Sequence, residues 1–211
     1  RMDPGLVERC LVCIARGGVV ALRQCGTRRT MKEFLVYRSP LGDMILAASD
    51  GRLGGVWFAG QKHLPDVSHW TETDRHPLLE ETRQALAGYF AAKRRTFDLP
   101  LDFSSGTTFQ QRVWRALLRT APGQTTTYAH VARNIGKPAA IRAVAAAIGR
   151  NPFSVVVPCH RVIGSDGGLT GYAGGLQRKA ALLALEGRYP PSAINKVLSK
   201  GLPKRREAVT A

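Results

Sequence analysis

The chain has 211 residues, of which 44% are hydrophobic, enough to bury one or two ordinary cores and too many for a disordered chain. The formal net charge is +16, and the excess is concentrated in residues 106–190, which contain eleven Lys and Arg against two Asp and Glu. This distribution indicates a polyanion partner such as nucleic acid, and the alternative explanation is an organism whose proteins are generally basic. No window approaches the roughly 20 consecutive apolar residues that a membrane span needs, so we expect a cytoplasmic protein without membrane association.

Charge and hydropathy divide the chain into four segments. These are an N-terminal extension at 1–30, an α/β domain at 31–105, a basic domain at 106–190 and a basic tail at 191–211. The extension matches no regular pattern, and we expect it to be poorly ordered. Its Cys10, Cys13 and Cys25 could bind zinc only with a fourth ligand, and the first histidine is His63, so we expect no metal site. Four cysteines are also too few for the disulfide framework of a small secreted domain.

The domain at 31–105 is predicted to be a small antiparallel meander followed by a helix. Three apolar runs start at Phe34, Met44 and Val56, and the second and third are separated by Asp50-Gly51, a strong hairpin signal. Polar residues 61–76 are predicted to form a surface loop. An apolar stripe at helical spacing then predicts a helix that covers the sheet: Leu78, Leu79, Thr82, Ala85, Leu86, Tyr89 and Phe90.

The basic domain begins with a helical pattern. Thr108 to Gln111 matches a capping box before the apolar stripe Phe109, Val113, Trp114, Leu117 and Leu118. Thr127 can cap a short helix that buries Val131 and Ile135 and ends at Gly136. Pro138 suits the first turn of a second helix that buries Ile141, Val144, Ala145 and Ile148. This pattern predicts a helix-turn-helix.

The exposed face of that second helix is made of small residues interrupted by arginine: Ala139, Arg142, Ala143, Ala146 and Arg150. It lacks the Asn, Gln and Ser side chains that usually read bases in the major groove. We infer contact with the shallower minor groove, with Arg142 available to reach into the base stack. An Ala-rich helix inside an ordinary core is the alternative, although it does not easily explain Arg142.

A nucleophile and a base stand side by side where SVVVPCHRVIG, residues 154–164, runs from an apparent buried strand into Cys159 and His160. A thiol is largely protonated at neutral pH and needs a base, which His160 could supply directly after a turn or through a water. Residues 106–190 contain two carboxylates, Asp166 and Glu186. Glu186 ends a predicted helix from Leu176 and shares the inward face of Ala180 and Leu183, so a histidine partner would explain its burial.

The alternative for Cys159 is a small core residue, the commonest fate of a lone cysteine. Five glycines between Gly167 and Gly175 argue against it, because they describe a loop that a planar ligand or a backbone could approach closely. No cofactor-binding motif is found, and we expect no cofactor.

Four segments of the chain resemble a known family. PCHRVIG at 158–164, GYAGG at 171–175, EG at 186–187 and TTTYAHVARNIGKPAAIRAVAAAIGRNP at 125–152 are similar to the O6-alkylguanine-DNA alkyltransferases of the constitutive bacterial type. The resemblance implies an α+β chain with a small ribonuclease H-like N-terminal domain. A C-terminal winged helix-turn-helix alkyltransferase domain, at 106–190, would bind double-stranded DNA containing O6-alkylguanine and flip the damaged base. We expect a monomer.

The resemblance also implies a role for each matching residue. Cys159 would accept the alkyl group once and irreversibly, His160 would act as its base through water, and Glu186 would hold His160. Tyr128 would assist protonation of the departing guanine, and Asn151 would organise the active-site turn. The pocket would be formed by Tyr128, Val162, Tyr172 and Ala173, where some relatives carry Ser at the last position. The DNA interface would be formed by Thr127, Ala139, Arg142, Ala143, Ala146 and Arg150.

Two other classes of function remain as alternatives. A non-catalytic DNA-binding regulator could use the same helix-turn-helix, but it has no use for a Cys-His-Glu set. A Cys-His-Glu hydrolase would need an oxyanion hole and would leave the basic helix-turn-helix unexplained.

Overall fold

The computed structural model describes residues 32–187. The proposed extension with Cys10, Cys13 and Cys25, and the tail at 191–211, lie outside the described residues. The elements in chain order are β1 Glu33–Ser39, β2 Gly42–Ser49, β3 Arg52–Phe58, β4 Thr71–Glu72, α1 Pro77–Phe90, α2 Thr108–Leu117, β5 Thr126–Thr127, α3 Tyr128–Asn134, α4 Ile141–Gly149, a 3-10 turn Cys159–Arg161, β6 Val162–Ile163 and α5 Leu176–Leu185.

The N-terminal sheet has the strand order β3-β2-β1-β4. The predicted meander is confirmed, because β1 pairs antiparallel with β2 and β2 with β3. Asp50 and Gly51 have φ of 53° and 68°, the left-handed backbone of a two-residue hairpin turn that Asp-Gly accommodates. The prediction of only a loop at 61–76 is wrong in one detail. Thr71–Glu72 forms β4, which pairs parallel with the start of β1.

Helix α1 covers one face of the sheet, as predicted. It buries Leu79, Ala85, Leu86 and Tyr89 against a core that also contains Phe58. The same core continues without interruption into the second half of the chain. Its buried members there include Val113, Trp114, Val131, Val144, Phe153 and Val162. The opposite face of the sheet packs a smaller cluster of Ile45, Ala47 and Trp57 under the 61–70 segment.

The helix-turn-helix is present, with two differences from the predicted positions. The capping box of α2 is formed by Thr107 and Gln110, one residue earlier than predicted, because the Thr107 hydroxyl is the one that accepts from the Gln110 amide. Pro138 lies outside α4, in a turn closed by the bond from Ala140 N to Lys137 O (2.9 Å), where proline suits the second position.

The late start of α4 changes which side chains it buries. Val144 and Ile148 are buried as predicted, together with Ala147, whereas Ile141, predicted to be buried, is 42% exposed and Ala145 is only partly buried. Helix α3 agrees with the prediction, because the Thr127 hydroxyl accepts from His130 N and Gly136 follows the helix with φ of 69°. The Trp114 indole N–H donates to Ala147 O (2.8 Å) and joins α2 to α4.

The predicted buried strand before Cys159 is wrong. Residues 154–157 form turns, with Val157 N bonded to Phe153 O and Val156 N to Ser154 O, and only Phe153 bridges to Val56 of β3. Val155 has φ of 72°, a conformation that a β-branched residue adopts only where its surroundings enforce it. The valines are apolar because they fill the core, and Cys159 therefore lies on a turn rather than at the end of a strand.

The remaining elements complete the second half. Strand β5, just before α3, pairs parallel with β6, just after the Cys159 turn, and α5 contacts that turn. Among residues 32–187, no helix is long and apolar enough to cross a membrane.

Candidate active site

Cys159 begins the 3-10 turn and is buried, with 5% of its surface exposed. The Asn151 side chain organises the turn from the end of α4. Its Nδ2 donates to Val157 O (2.9 Å) and to Cys159 Sγ (3.1 Å), and its Oδ1 accepts from Phe153 N (3.0 Å). A hydrogen bond donated to sulfur favours the thiolate. Asn151, at the end of α4, thus links the helix with the exposed alanine face to the Cys159 sulfur.

His160 is the middle residue of the turn and is fully buried, with Nε2 3.0 Å from Glu186 Oε1. Because the carboxylate can only accept, we assign the proton to Nε2, which leaves Nδ1 as the basic nitrogen of the neutral ring. Nδ1 has no hydrogen-bond partner within the described part of the chain. The imidazole is therefore oriented with an unused basic atom one residue from the thiol.

Glu186 caps α5 and collects donors from three parts of the chain. Besides His160, its oxygens accept from Arg161 Nε (2.8 Å) and Nη2 (2.7 Å) in the same turn, from the Tyr89 hydroxyl (2.8 Å) in α1 and from Gly123 N (3.3 Å) before β5. Burial alone would raise the pKa of Glu186, but the hydrogen bonds from His160 and Arg161 outweigh it and hold the pKa well below its usual range. The carboxylate stays charged and fixed at neutral pH.

The protonation states of Cys159 and His160 suit a thiol that is activated by a neighbouring base. Burial raises the pKa of Cys159, and the hydrogen bond from Asn151 offsets only part of that effect. Burial lowers the pKa of His160, although Glu186 favours the charged ring. At neutral pH the resting site therefore holds a thiol and a neutral imidazole, which is the combination required for a general base to remove the thiol proton.

A glycine-rich loop, residues 164–175, connects β6 to α5. The Tyr128 hydroxyl donates to Thr170 O (3.1 Å) across this loop. Burial raises the pKa of Tyr172, and a negative charge on the Cys159 sulfur would raise it further, so the phenol stays neutral beside the sulfur. Ala173 follows Tyr172 on the same loop. The loop therefore contacts Tyr128 and carries Tyr172, which is close enough to Cys159 for their charges to interact.

Lys179 of α5 is a buried cation at this site that the sequence analysis missed. Its surface is 0% exposed, and Nζ donates to the carbonyl oxygens of Val162, Thr170 and Gly171. Burial lowers the pKa of Lys179 to about 8, and a negative charge on the Cys159 sulfur would oppose that shift. The ammonium ties the glycine-rich loop to β6 and places a positive charge near the sulfur.

Arg161 and Tyr89 were also absent from the predicted site. Arg161 stands within PCHR, and its pairing with Glu186 could have been inferred because Glu186 is one of two carboxylates in residues 106–190. Lys179 had a signal too, since it lies seven residues before Glu186 on the inward face of α5. Tyr89 had none, because it comes from α1, 97 residues away from Glu186.

The exposed face of the helix-turn-helix has the predicted composition. Ala139, Arg142, Ala143, Ala146 and Arg150 are all exposed, and Ile141 joins them. Thr127 is partly buried because its hydroxyl caps α3. No cluster of three or more His, Cys, Asp or Glu that could hold a metal ion occurs in residues 32–187.

Comparison with known proteins gives consistent matches. Residues 34–103 match the ribonuclease-like domain, and residues 108–188 the DNA-binding domain, of 6-O-methylguanine DNA methyltransferase. A methylated-DNA–protein-cysteine methyltransferase of Mycolicibacterium paratuberculosis is 44% identical over 164 residues, 78% of this chain and 98% of the relative. The constitutive one of Bacillus subtilis is 42% identical over 160 residues, 74% and 96%.

A solved structure has a similar fold. The Mycobacterium tuberculosis OGT in complex with DNA superposes with a TM-score of 0.71 at 42% identity, covering 78% of this chain and 98% of that one.

Proposed function

The chain belongs to the 6-O-methylguanine DNA methyltransferase family, and from this premise we propose that Cys159 receives the alkyl group of O6-alkylguanine in double-stranded DNA. The observation that carries the assignment is the arrangement around this thiol. Asn151 donates to its sulfur, and the next residue, His160, is oriented by Glu186 with Nδ1 left as a base. Cys159 is also the one cysteine among residues 32–187.

The chemistry follows from the protonation states. The thiol proton passes through a bridging water to His160 Nδ1, and the thiolate attacks the alkyl carbon. The bond from that carbon to O6 breaks, its electron pair stays on the purine, and the purine takes a proton from Tyr128. Tyr128 regains a proton from solvent, and His160 releases the one it took. The product is a thioether, which has no easily hydrolysed bond, so each molecule reacts once.

The exposed face of α4 would hold the duplex. Small side chains at Ala139, Ala143 and Ala146 permit close approach of the helix to the minor groove, and Thr127 and Arg150 lie at the edges of that surface. Arg142 would fill the space left by the extruded nucleotide. Asn151 at the end of α4 would connect this surface to the Cys159 turn.

The flipped guanine would lie between the turn and the glycine-rich loop. The carbonyl oxygens of Cys159 and Val162 would accept from its exocyclic amine, Tyr172 would form the wall, and the backbone N–H of Ala173 would donate to O6.

We also propose that the boundary between the two domains lies between residues 105 and 106, that the protein is a monomer in solution and that its location is cytoplasmic. A non-catalytic regulator and a hydrolase are not favoured by the family matches.

The test is Cys159→Ser, with Cys25→Ser as the matched control. We expect Cys159→Ser to bind duplex DNA like the parent, because the proposed DNA surface lies on α4, and to lose alkyl transfer, because a hydroxyl is a far poorer nucleophile than a thiolate. Cys25→Ser should retain both. Transfer by Cys159→Ser at a rate comparable to the parent would refute the assignment.

A further inference from the structure

The wall of the proposed guanine pocket is held by the N-terminal half of the chain. Ala173 and Gly174 directly follow Tyr172 on the glycine-rich loop. Ala173 O accepts from Lys62 N (3.1 Å), just beyond β3, and Gly174 O accepts from Arg178 Nη1 (3.0 Å). The carbonyls of the two residues after Tyr172 are therefore bonded to the N-terminal half of the chain or to a side chain anchored on it, the first to Lys62 in the segment after β3 and the second to Arg178.

Arg178 is the anchored donor. Its guanidinium donates through Nε to Leu41 O (2.8 Å) in the turn between β1 and β2, and lies 4.6 Å from the ring centroid of Phe58, the last residue of β3. Arg178 is 7% exposed, and within residues 32–187 no carboxylate pairs with it. A desolvated cation without an anion is costly, so these carbonyls and the aromatic face are what compensate it.

The packing leaves little space between the sheet and the wall. A Cβ built on Gly174 would lie 2.8 Å from Tyr172 Cε1 and 3.1 Å from Phe58 Cδ2, so both rings approach the same stretch of backbone. A Cβ on Gly42 would lie 3.0 Å from Arg178 Nη2. The guanidinium therefore fills a closed space between the turn at Gly42 and the loop at Gly174.

We propose that Arg178 is a positioning residue that fixes the Tyr172 wall against the N-terminal sheet and so limits the size of the alkyl group that Cys159 accepts. The inference rests on the proposed function, because it takes the space between Tyr172 and Cys159 as the alkyl site. A loop bonded to two parts of the fold opens less readily than a free glycine-rich loop. A bulky group needs such an opening, whereas a methyl group does not.

The experiment compares Arg178→Met with the parent. Methionine keeps a long apolar stem over Phe58 but cannot donate to Leu41 O or Gly174 O. Rates of transfer are measured from O6-methylguanine and O6-benzylguanine placed in the same duplex sequence, together with amide hydrogen exchange. The matched control is Arg83→Met, because the Arg83 side chain bonds to Glu80 on the surface of α1, away from the glycine-rich loop.

We expect the benzyl-to-methyl rate ratio of Arg178→Met to rise about fivefold, as for the loss of one net hydrogen bond that holds the loop closed. Amides of residues 170–175 should exchange faster, and those of β2 should not. Arg178→Lys keeps the charge and one donor group, so its benzyl-to-methyl rate ratio should lie between those of the parent and Arg178→Met. It also replaces Arg178→Met in the test if that variant fails to fold.

An unchanged ratio with unchanged exchange in the folded variants would overturn the inference. A uniform loss of both rates, with the ratio constant, would also overturn it, because that is the signature of general destabilisation. Failure of the parent and Arg83→Met to transfer either group would instead refute the proposed function.

Discussion

Replacement of Glu186 by glutamine tests the buried hydrogen-bond network next to Cys159. Glu186 is 5% exposed and accepts hydrogen bonds from Tyr89, His160 and Arg161. Glutamine has the same shape, but its amide NH2 is a donor that must face one of these donors. The substitution also leaves the buried Arg161 without its anion. Removing one partner of a buried ion pair costs about 3–5 kcal/mol, and we expect that loss in the free energy of unfolding at pH 7.

The loss of unfolding free energy in Glu186→Gln should become smaller at acidic pH. The folded-state pKa of Glu186 lies below the unfolded value of about 4.3. Its contribution to stability is therefore fully present above the unfolded pKa and is lost as pH falls through the folded pKa. The difference between parent and Glu186→Gln should be constant from pH 7 to about 5 and should shrink on further acidification.

The assay is urea unfolding without DNA, followed by tryptophan fluorescence. The matched control is Glu80→Gln, because Glu80 is also paired with an arginine but at the surface, where we expect no resolvable change. A Glu186→Gln variant as stable as Glu80→Gln would refute the reasoning, as would a difference that grows on acidification.

Three further predictions concern the DNA surface and the buried lysine. Arg142→Ala should slow repair in duplex about tenfold more than transfer from free O6-benzylguanine, because only a duplex requires base extrusion; equal losses would make Arg142 a phosphate contact. Duplex affinity should fall about a hundredfold between 50 and 200 mM salt if about four phosphates are neutralised, and a flat titration would contradict this. Since the folded pKa of Lys179 is lowered to about 8, the unfolded chain binds more protons above that pH. The parent should thus gain stability over Lys179→Met between pH 8 and about 10, as measured by urea midpoints, and a constant difference would count against a lowered pKa of Lys179 in the folded state.

Local sequence signals predicted the local structure well. Asp50-Gly51 identified the hairpin, and Thr127 with Gly136 bounded α3, because a turn or a cap depends on the residues within it. The same locality explains two errors of register. Thr107 and Thr108 are equally good caps in sequence, and Pro138 suits a turn as well as the first turn of a helix.

Tertiary contacts were less accessible to sequence reasoning. The valines at 155–157 have strand-forming side chains but are held in turns by Asn151, whose bonds to Phe153 and Val157 override that preference. The pairing of His160 with Glu186 could be predicted because few carboxylates compete for it. The contributions of Tyr89 and Arg178 could not, because they depend on how the two halves of the chain pack.

The most direct test of the central claim is the stoichiometry of transfer. Limiting protein is mixed with an excess of duplex containing O6-methylguanine, the methyl groups lost from DNA are counted, and the protein is analysed by intact mass and peptide mapping. We predict that repair stops at one equivalent, with one methyl group on Cys159. Sustained turnover beyond one equivalent, or a methyl group on another residue, would contradict the account.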